Sequence, residues 1–325
     1  MLIANNLYKT FALKSKISFF KNRDINEKNA VNNLSLKVEP GKIVGLLGIN
    51  GAGKTTTIKM LTTMLSPTKG EISIDNIDAI KNPLEAKEKI NLISGGERNL
   101  YWRLTAEENL EYFGSLYGLK SSELKNRIKK ILEVVDLVDV KNIPVEKYSK
   151  GMKQRLQIAR GLINDPSYLF LDEPTLGLDV VIAKEFRKYI KRLASVENKG
   201  ILLTSHYISE VEELCDYIYF LKEGSLYFQG TSQEIKQMFL IHSKVTISGD
   251  NFSADFLEEI KNLKSVSEIV SSDENKSVTV IANSKYITNE LIELSQKFKI
   301  NLSNMALKEA SLEDAIFSAI ERNQN

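Results

Sequence analysis

The sequence has few residues that could hold a metal ion or form cross-links, and it has no long apolar segment. Its single cysteine, Cys215, excludes an internal disulfide, and with only two histidines the chain offers too few soft ligands for a zinc site. No run of about 18 apolar residues occurs, so we expect no membrane-spanning helix. A balance of 44 Lys and Arg against 42 Asp and Glu disfavours a dedicated nucleic-acid-binding protein. These absences predict an intracellular chain without a metal site of its own.

The length and the spacing of apolar residues predict a layered α/β fold. At 325 residues the chain is about twice a usual domain of roughly 150, so two domains are expected. Short apolar runs at 43–47 and 168–171 are typical of buried parallel strands. The same criteria predict strands at 1–11, 31–38, 200–204 and 217–221, and helical spacing predicts helices at about 53–65, within 105–140 and at 180–193. Strands and helices that alternate in this way favour a parallel sheet with helices packed on it.

Beyond about residue 240 the pattern changes. Strands are expected at 245–248, 265–270, 278–282 and 302–307, with helices near 253–264 and 286–298 and a last helix after Ser311. Ser311 and Asp314 have the spacing of an N-terminal helix cap. The order βαββαβα predicts a small α+β domain with a split-βαβ sheet.

A glycine-rich turn between a strand and a helix carries a phosphate-binding motif. Residues 48–55 read GINGAGKT and match G-x-x-x-x-G-K-[ST] in the required context. Such a loop turns its backbone N–H groups toward phosphate oxygens, and the helix dipole adds to the attraction. Lys54 is expected to bridge the β- and γ-phosphates, Thr55 to bind Mg²⁺, and Thr56 to contact the α-phosphate side. The residues expected to contact nucleotide are Asn50, Gly51, Ala52, Gly53, Lys54, Thr55 and Thr56.

Two adjacent carboxylates follow the apolar strand at 168–171. Asp172 and Glu173 stand directly after it, where a parallel sheet presents residues to a ligand. Asp172 is suited to hold Mg²⁺ through water, and Glu173 to polarise an attacking water as general base. Two solvated acids at a strand end are the plain alternative, which the phosphate loop upstream disfavours.

Three further segments resemble the ATP-binding cassette (ABC) ATPases. Residues 148–155, YSKGMKQR, resemble the signature segment of that family; Leu178 and Asp179 resemble its D-loop; and residues 204–206, TSH, resemble the strand end that carries the switch histidine. The resemblance covers about residues 1–235. It implies a P-loop NTPase fold of ABC type, with an antiparallel β subdomain and a helical subdomain at about 100–165, in a domain over 1–238. Residues 239–325 then form the small α+β domain.

The resemblance also implies how nucleotide is bound and hydrolysed. In this family two cassettes sandwich two ATP molecules, so Ser149 and Gly151 are expected to contact the γ-phosphate bound to a partner subunit. His206 is expected to contact the γ-phosphate of its own subunit, and Asp179 to link the two sites. Each also has a plain interpretation: Ser149 and Asp179 suit helix caps, and His206 suits a polar strand end.

The sequence departs from the family pattern in the signature segment. Tyr148, Lys150 and Met152 replace Leu, Gly and Gln of the usual Leu-Ser-Gly-Gly-Gln, whereas Ser149 and Gly151 are kept. Since the two kept residues open the helix, binding to the partner's nucleotide is expected to survive.

Two other family positions are also altered. At the Q-loop, Gly96 stands where the family has Gln, and the neighbouring Glu97 is a candidate contact to Mg²⁺ or water. Phe11 occupies the place of the aromatic residue that stacks on adenine, and its π face suffices for stacking. A plain core role for Phe11 is an equally good interpretation.

A cassette without a membrane span, followed by a small domain, resembles the ATPase subunits of bacterial exporters for drugs, antibiotics, lipids or polysaccharides. The resemblance implies a separate transmembrane permease, an ATP-dependent homodimer or a paired ABC subunit, and a peripheral position on the cytoplasmic face of the membrane. Tyr101 and Trp102 are candidates for the groove that receives a cytoplasmic permease helix. Packing of Trp102 against the core of the helical subdomain is the alternative.

Two other functions fit parts of the pattern. A regulatory module that binds ATP with little hydrolysis is suggested by the missing Q-loop Gln, and a soluble ABC ATPase of translation or DNA repair shares the nucleotide motifs. Residues 1–29 hold six basic and two acidic residues, a local charge of +4. This excess lies largely in an apparent insertion at 12–29 around Phe19 and Phe20, which fits either a solvated loop or an element facing anionic lipid or the permease.

Overall fold

The computed structural model describes residues 1–13, 26–94, 100–239, 243–249, 252–271, 277–282, 286–308 and 311–321. The chain divides into two units, Met1–Thr231 and Ser232–Asn325. None of the helices in the described part of the chain combines the length and the apolar character needed to span a bilayer.

The first unit alternates strands and helices along the chain. Its strands are β1 (Leu2–Leu13), β2 (Asn26–Val38), β3 (Ile43–Gly48), β4 (Lys69–Ile74), β5 (Ile77–Asp78), β6 (Ile90–Ser94), β7 (Tyr168–Asp172), β8 (Gly200–Thr204), β9 (Tyr217–Lys222) and β10 (Ser225–Gly230). Its α-helices are α1 (Lys54–Leu61), α2 (Pro83–Lys89), α3 (Ala106–Leu116), α4 (Ser121–Val134), α5 (Lys150–Leu162), α6 (Val180–Ser195) and α7 (Ile208–Leu214). Short 3-10 helices lie at Val138–Val140 and Val145–Lys147.

A mixed sheet in the order β10-β9-β3-β8-β7-β6 forms the centre of this unit. The strands from β9 to β6 are parallel to their neighbours, and β10 pairs antiparallel with β9. Successive residues alternate between the two faces: Leu169 and Leu203 pack with the helices α3 to α6, whereas Phe170 and Leu46 pack with α1 and the second sheet. Apolar strands buried on both sides therefore explain the short apolar runs of the sequence.

The second sheet, in the order β2-β1-β4-β5, is antiparallel. Its strands β1 and β2 form a long hairpin, in which Phe11 pairs with Lys28 and Ala12 with Glu27. The expected end of the first strand at residue 11 and the expected start of the second at residue 31 were therefore wrong. The two ends of the expected insertion at 12–29 are therefore strand, and its centre, with Phe19 and Phe20, lies outside the described residues. Sequence reasoning also missed β4, whose alternating polar residues leave only Ile72 and Ile74 buried.

The helical segment of the first unit is divided into separate helices. The stretch expected to be helical at 105–140 contains α3 and α4, and α3 begins with a capping box between Thr105 and Glu108. Leu110, Ile128 and Leu156, one from each of α3, α4 and α5, share a core with the parallel sheet. Helix α1 is shorter than expected, since a left-handed Thr63 (φ 58°) follows its end.

The second unit has the predicted order of elements. After α8 (Ser232–Met238) come β11 (Ser243–Gly249), α9 (Ala254–Asn262), β12 (Val266–Ser271), β13 (Ser277–Ala282), α10 (Ile287–Lys297), β14 (Leu302–Lys308) and α11 (Leu312–Glu321). The antiparallel sheet has the order β12-β13-β11-β14, which is the split-βαβ arrangement. Ser311 Oγ accepts from Asp314 N at 3.2 Å, so the predicted cap of α11 is present.

Candidate functional site

The phosphate loop joins β3 to α1 through a turn that requires glycine. Gly53, the N-cap of α1, has φ 98°, and a Cβ at this position would lie 2.4 Å from Ala30 O. A side chain would therefore suffer both backbone strain and a clash with β2. Because the first N–H groups of a helix have no acceptor within the helix, this turn directs a set of donors into the loop.

Lys54, the first residue of α1, folds back over the loop. Its Nζ donates to Gly48 O at 2.6 Å and to Ile49 O at 3.2 Å. Burial lowers the pKa of this ammonium, and the nearby charges of Glu173 and Asp172 oppose the shift. The loop thus encloses a cation that faces the two carboxylates at the end of β7.

The carboxylates at the end of β7 are held by the neighbouring strand β8. Asp172 Oδ1 accepts from Thr204 Oγ1 at 2.6 Å, and Glu173 N donates to Thr204 O at 3.1 Å. Glu173 has a left-handed backbone with φ 53°, which is uncommon for a residue other than glycine and is often found at functional sites. Thr204 is therefore a supporting residue that sequence reasoning did not identify.

Glu173 and His206 are in direct contact. His206 Nε2 lies 3.1 Å from Glu173 Oε1, and His206 N donates to Oε2 at 3.2 Å. Burial raises the pKa of Glu173, and Asp172 raises it further, whereas His206 and Lys54 oppose the shift. A carboxylate whose pKa is moved toward neutrality is suited to accept a proton from water.

A cleft of about 400 Å³ brings the two groups of residues together. On one side it is lined by the phosphate loop, and on the other by Asp172, Glu173 and His206. Its described lining residues are Phe11, Lys28, Ala30, Asn50, Gly51, Ala52, Gly53, Lys54, Thr55, Thr56, Asp172, Glu173 and His206. A cleft of this composition can hold a polyphosphate next to a carboxylate that acts as a proton acceptor.

One end of the cleft is formed by the hairpin of β1 and β2. Phe11 is 39% exposed there, and it lies beneath Lys9, whose Nζ is 5.4 Å from the ring centroid. This exposure does not fit the alternative of a plain core residue. Lys28 and Ala30 also line the cleft, and sequence reasoning missed both because only the strand register places Lys28 opposite Phe11.

The signature residues lie at the start of α5 and are not among the described residues that line the cleft. Ser149 caps α5, and its hydroxyl accepts from Met152 N at 3.2 Å. Gly151 is buried against α6, where a Cβ would lie 2.4 Å from Ile182 Cδ1. Lys150, one of the departures from the family pattern, donates from Nζ to Gly177 O at 3.2 Å. The signature segment is thus joined to the loop that follows Glu173.

Asp179 is also a cap, and it too lies away from the described lining of the cleft. Its Oδ1 accepts from Ile182 N at 2.9 Å at the start of α6. The next two residues, Val180 and Val181, are 81% and 68% exposed. Asp179 therefore stands beside an apolar surface at the end of the loop.

The segment after β6 is described only in part. Gly96 and Glu97, including the expected Mg²⁺ contact of Glu97, lie outside the described residues. Tyr101 and Trp102 are each 47% exposed. Tyr101 contacts Tyr112 edge-on, and Lys153 Nζ lies 4.3 Å from the centroid of the Trp102 ring. Trp102 is therefore half-exposed and also contacts α5, which fits both a groove for a partner helix and packing against the helical subdomain.

Similarity to known proteins extends over most of the chain. A family model described as "ABC transporter" matches residues 31–176. The chain is 44% identical over 206 residues to the ABC transporter ATP-binding protein NatA of Bacillus subtilis (strain 168), covering 63% of this chain and 83% of that protein. It is 32% identical over 289 residues to the linearmycin resistance ATP-binding protein LnrL of the same organism, covering 88% and 92%.

The fold has a solved counterpart with hydrolysis products bound. A dimeric ATP-binding cassette in a post-hydrolysis state, bound to ADP and Pi, is similar with a TM-score of 0.60 and 26% identity over 71% of this chain and 98% of that one. Together with the nucleotide motifs gathered in one cleft, these similarities show that the chain belongs to the ATP-binding, ATP-hydrolysing proteins of the ABC transporters.

Proposed function

We propose that this subunit binds MgATP in the cleft, pairs with a second cassette around it, and couples closure and hydrolysis to export by a separate membrane permease. The observation that carries the proposal is the cleft itself, in which the phosphate loop faces the contact between Glu173 and His206. The resistance protein LnrL is similar over most of its length, which supports export rather than uptake.

Nucleotide binding is assigned to the two ends of the cleft. Lys54 and the N–H groups of the phosphate loop hold the phosphates, and Thr56 contacts the α-phosphate side. Phe11 stacks on adenine, which its exposure at the cleft supports. Lys28, across the hairpin from Phe11, adds a positive charge near the base and the sugar.

Thr55 and Asp172 are assigned to Mg²⁺. Both line the cleft, and both provide the oxygen ligands that Mg²⁺ prefers, usually one or two from protein beside substrate phosphates. The hydrogen bond from Thr204 to Asp172 Oδ1 orients this carboxylate. When bound, Mg²⁺ supplies charge neutralisation at the β- and γ-phosphates.

In hydrolysis, Glu173 orients a water for in-line attack on the γ-phosphorus and accepts its proton as the P–O bond to the leaving ADP breaks. The raised pKa of Glu173 suits a base that must take up a proton. His206 holds the carboxylate and donates toward the γ-phosphate. Lys54 stabilises the negative charge that develops on the transferred group.

Dimer formation is assigned to the surface that carries Ser149, Gly151 and Asp179. The N-terminus of α5 presents N–H donors beside Ser149, and such a terminus attracts a phosphate of the partner's ATP. Lys150 at the start of α5 donates to Gly177 O, two residues before Asp179, and the exposed Val180 follows Asp179, which supports a role in joining the two sites. The same surface could pair with a related ABC subunit instead of a second copy.

Coupling to the membrane is assigned to Tyr101 and Trp102. Both rings are half-exposed near the segment that follows β6, and aromatic residues commonly anchor interfaces. We therefore place the subunit at the cytoplasmic face of the membrane, in contact with a permease helix. The relatives are transport and resistance proteins, which does not favour a role in translation or DNA repair.

The test is phosphate release by the purified chain and by Glu173→Gln. We expect the variant to keep ATP affinity, to lose turnover by about 100-fold or more, and to accumulate as an ATP-bound dimer. Glu223→Gln is the matched control, since Glu223 also has a left-handed backbone at a strand end, with φ 52°, and does not line the described cleft. Undiminished hydrolysis by Glu173→Gln would overturn the assignment, and an inactive wild type would favour the regulatory module.

A further inference from the structure

The loop that follows Glu173 is held by buried polar side chains from two helices. Gln154 of α5 donates from Nε2 to Pro174 O at 2.6 Å. Thr175 Oγ1 donates to Glu210 Oε2 of α7 at 3.0 Å. Both contacts lie within two residues of the proposed base, and neither side chain lines the described cleft.

Glu210 also holds the residue that precedes His206. Ser205 Oγ donates to the same Oε2 at 2.6 Å, and this hydroxyl accepts from Tyr207 N at 3.1 Å. Glu210, Thr175 and Ser205 are each only 4% exposed. One buried carboxylate oxygen therefore joins the segment after Glu173 to the segment before His206.

A purely structural joint at this place would not need a carboxylate. A buried charge is costly unless its oxygens are paired, and Glu210 Oε1 is buried without a hydrogen-bond partner among the described residues. A neutral side chain could join the two hydroxyls at lower cost. A buried polar group that is only partly satisfied in a folded protein calls for an explanation.

We propose that Glu210 is a positioning residue that sets the separation of Glu173 and His206. On the strand side, this separation is set by the hydrogen bond from Glu173 N to Thr204 O at 3.1 Å. At the helix α7, Glu210 links the segment after Glu173 to the segment before His206 by accepting from Thr175 and Ser205. Loss of these two hydrogen bonds lets His206 move away from Glu173, whereas the phosphate loop keeps its conformation.

The inference rests on the proposed role of Glu173 as base, and its test separates turnover from binding. Glu210→Leu, which removes the acceptor of both hydroxyls, Ser205→Ala and Thr175→Val are compared with wild type for kcat, for the KM of ATP and for melting temperature. We expect kcat to fall about tenfold or more, with KM within about twofold because none of the three changed residues is among the described residues that line the cleft. Ser205→Ala and Thr175→Val keep the carboxylate, so they test the positioning role even if Glu210→Leu fails to fold.

The combined variants give a second measure. Since Ser205 and Glu210 act through one contact, Ser205→Ala added to Glu210→Leu should lower kcat no further than Glu210→Leu alone. Glu213→Gln is the matched control on the same helix, because Glu213 forms surface ion pairs with Arg187 and Lys191. Its kcat should equal that of wild type.

Two results would overturn the inference. One is a kcat within twofold of wild type in folded Ser205→Ala and Thr175→Val. The other is a parallel fall of ATP affinity, melting temperature and kcat, which indicates a structural role alone. Glu173→Gln measured beside these variants separates the two proposals. If Glu173→Gln stays active, the proposed function fails. If Glu173→Gln is inactive but Ser205→Ala and Thr175→Val have normal kcat, only the positioning role of Glu210 fails.

Discussion

His206 contacts both oxygens of the Glu173 carboxylate, with Nε2 3.1 Å from Oε1 and the backbone N–H donating to Oε2 at 3.2 Å. The two residues are 33 positions apart and meet because Asp172 pairs with Thr204 in the parallel register of β7 and β8. Strand register thus brings the two residues together, and their side chains complete the contact.

Replacement of His206 tests this contact. His206→Ala removes the side-chain contact that orients the proposed base, so we expect ATP hydrolysis to fall by about 100-fold with ATP affinity changed far less. The measurement is kcat from phosphate release beside a binding titration. His242→Ala, which changes the other histidine, should retain wild-type kcat; an equal loss in both variants would speak against a specific role for His206.

The two glycines of the phosphate loop make a second, internally controlled prediction. Gly53→Ala places a Cβ 2.4 Å from Ala30 O at φ 98°, whereas at Gly51, with φ 82°, an added Cβ has no atom of the described residues within 4 Å apart from its chain neighbours. We expect Gly53→Ala to lower the free energy of unfolding by about 2–4 kcal/mol and Gly51→Ala by about 1–2 kcal/mol. Chemical denaturation measures both, and equal losses would contradict the clash with β2.

Stacking by Phe11 predicts a selective loss of nucleoside recognition. Because Phe11 is exposed in the cleft, Phe11→Ala should cost little stability but weaken ATP binding by about 5- to 30-fold, the usual effect of losing one stacked base. Phe11→Tyr should bind as wild type does. Inorganic tripolyphosphate, which has no base, provides the control ligand, and its affinity should be the same in all three proteins.

The thiol of Cys215 predicts a pH dependence of stability. It packs against the backbone of Gly45 in β3, and burial, reinforced by Glu210 and Asp216, raises its pKa well above the ordinary range. The unfolded thiol ionises at about pH 8.5, so above that pH the unfolded state binds fewer protons and the free energy of unfolding falls as pH rises. Denaturation at pH 7 to 10 should show this fall, and Cys215→Ala should lessen it.

Reactivity of the same thiol gives an independent check. Iodoacetamide at pH 8 should label the native protein slowly and the denatured protein fast, because the thiolate is the nucleophile. Fast labelling of the native protein would contradict the raised pKa.

Local patterns were enough to predict the main elements of both units. The apolar run before Asp172 and the glycines between β3 and α1 each specify a conformation through nearby residues. The sequence alone therefore predicts that these segments lie at the edge of the sheet where a ligand binds. The order βαββαβα of the second unit followed from periodicity in the same way. β4 was missed because Ile72 and Ile74 are its only buried residues, too few for a clear pattern.

The sequence by itself determined the phosphate loop, the two carboxylates and the family resemblance, because these depend on residue types at short spacing. Only the tertiary structure decided that Lys28 faces Phe11, that His206 contacts Glu173, and that Glu210 joins Thr175 to Ser205. Such pairs depend on strand register and helix packing between segments far apart in the chain. A change of strand register by one residue would turn the side chains of the shifted strand, such as Lys28 in β2, to the opposite face of the sheet.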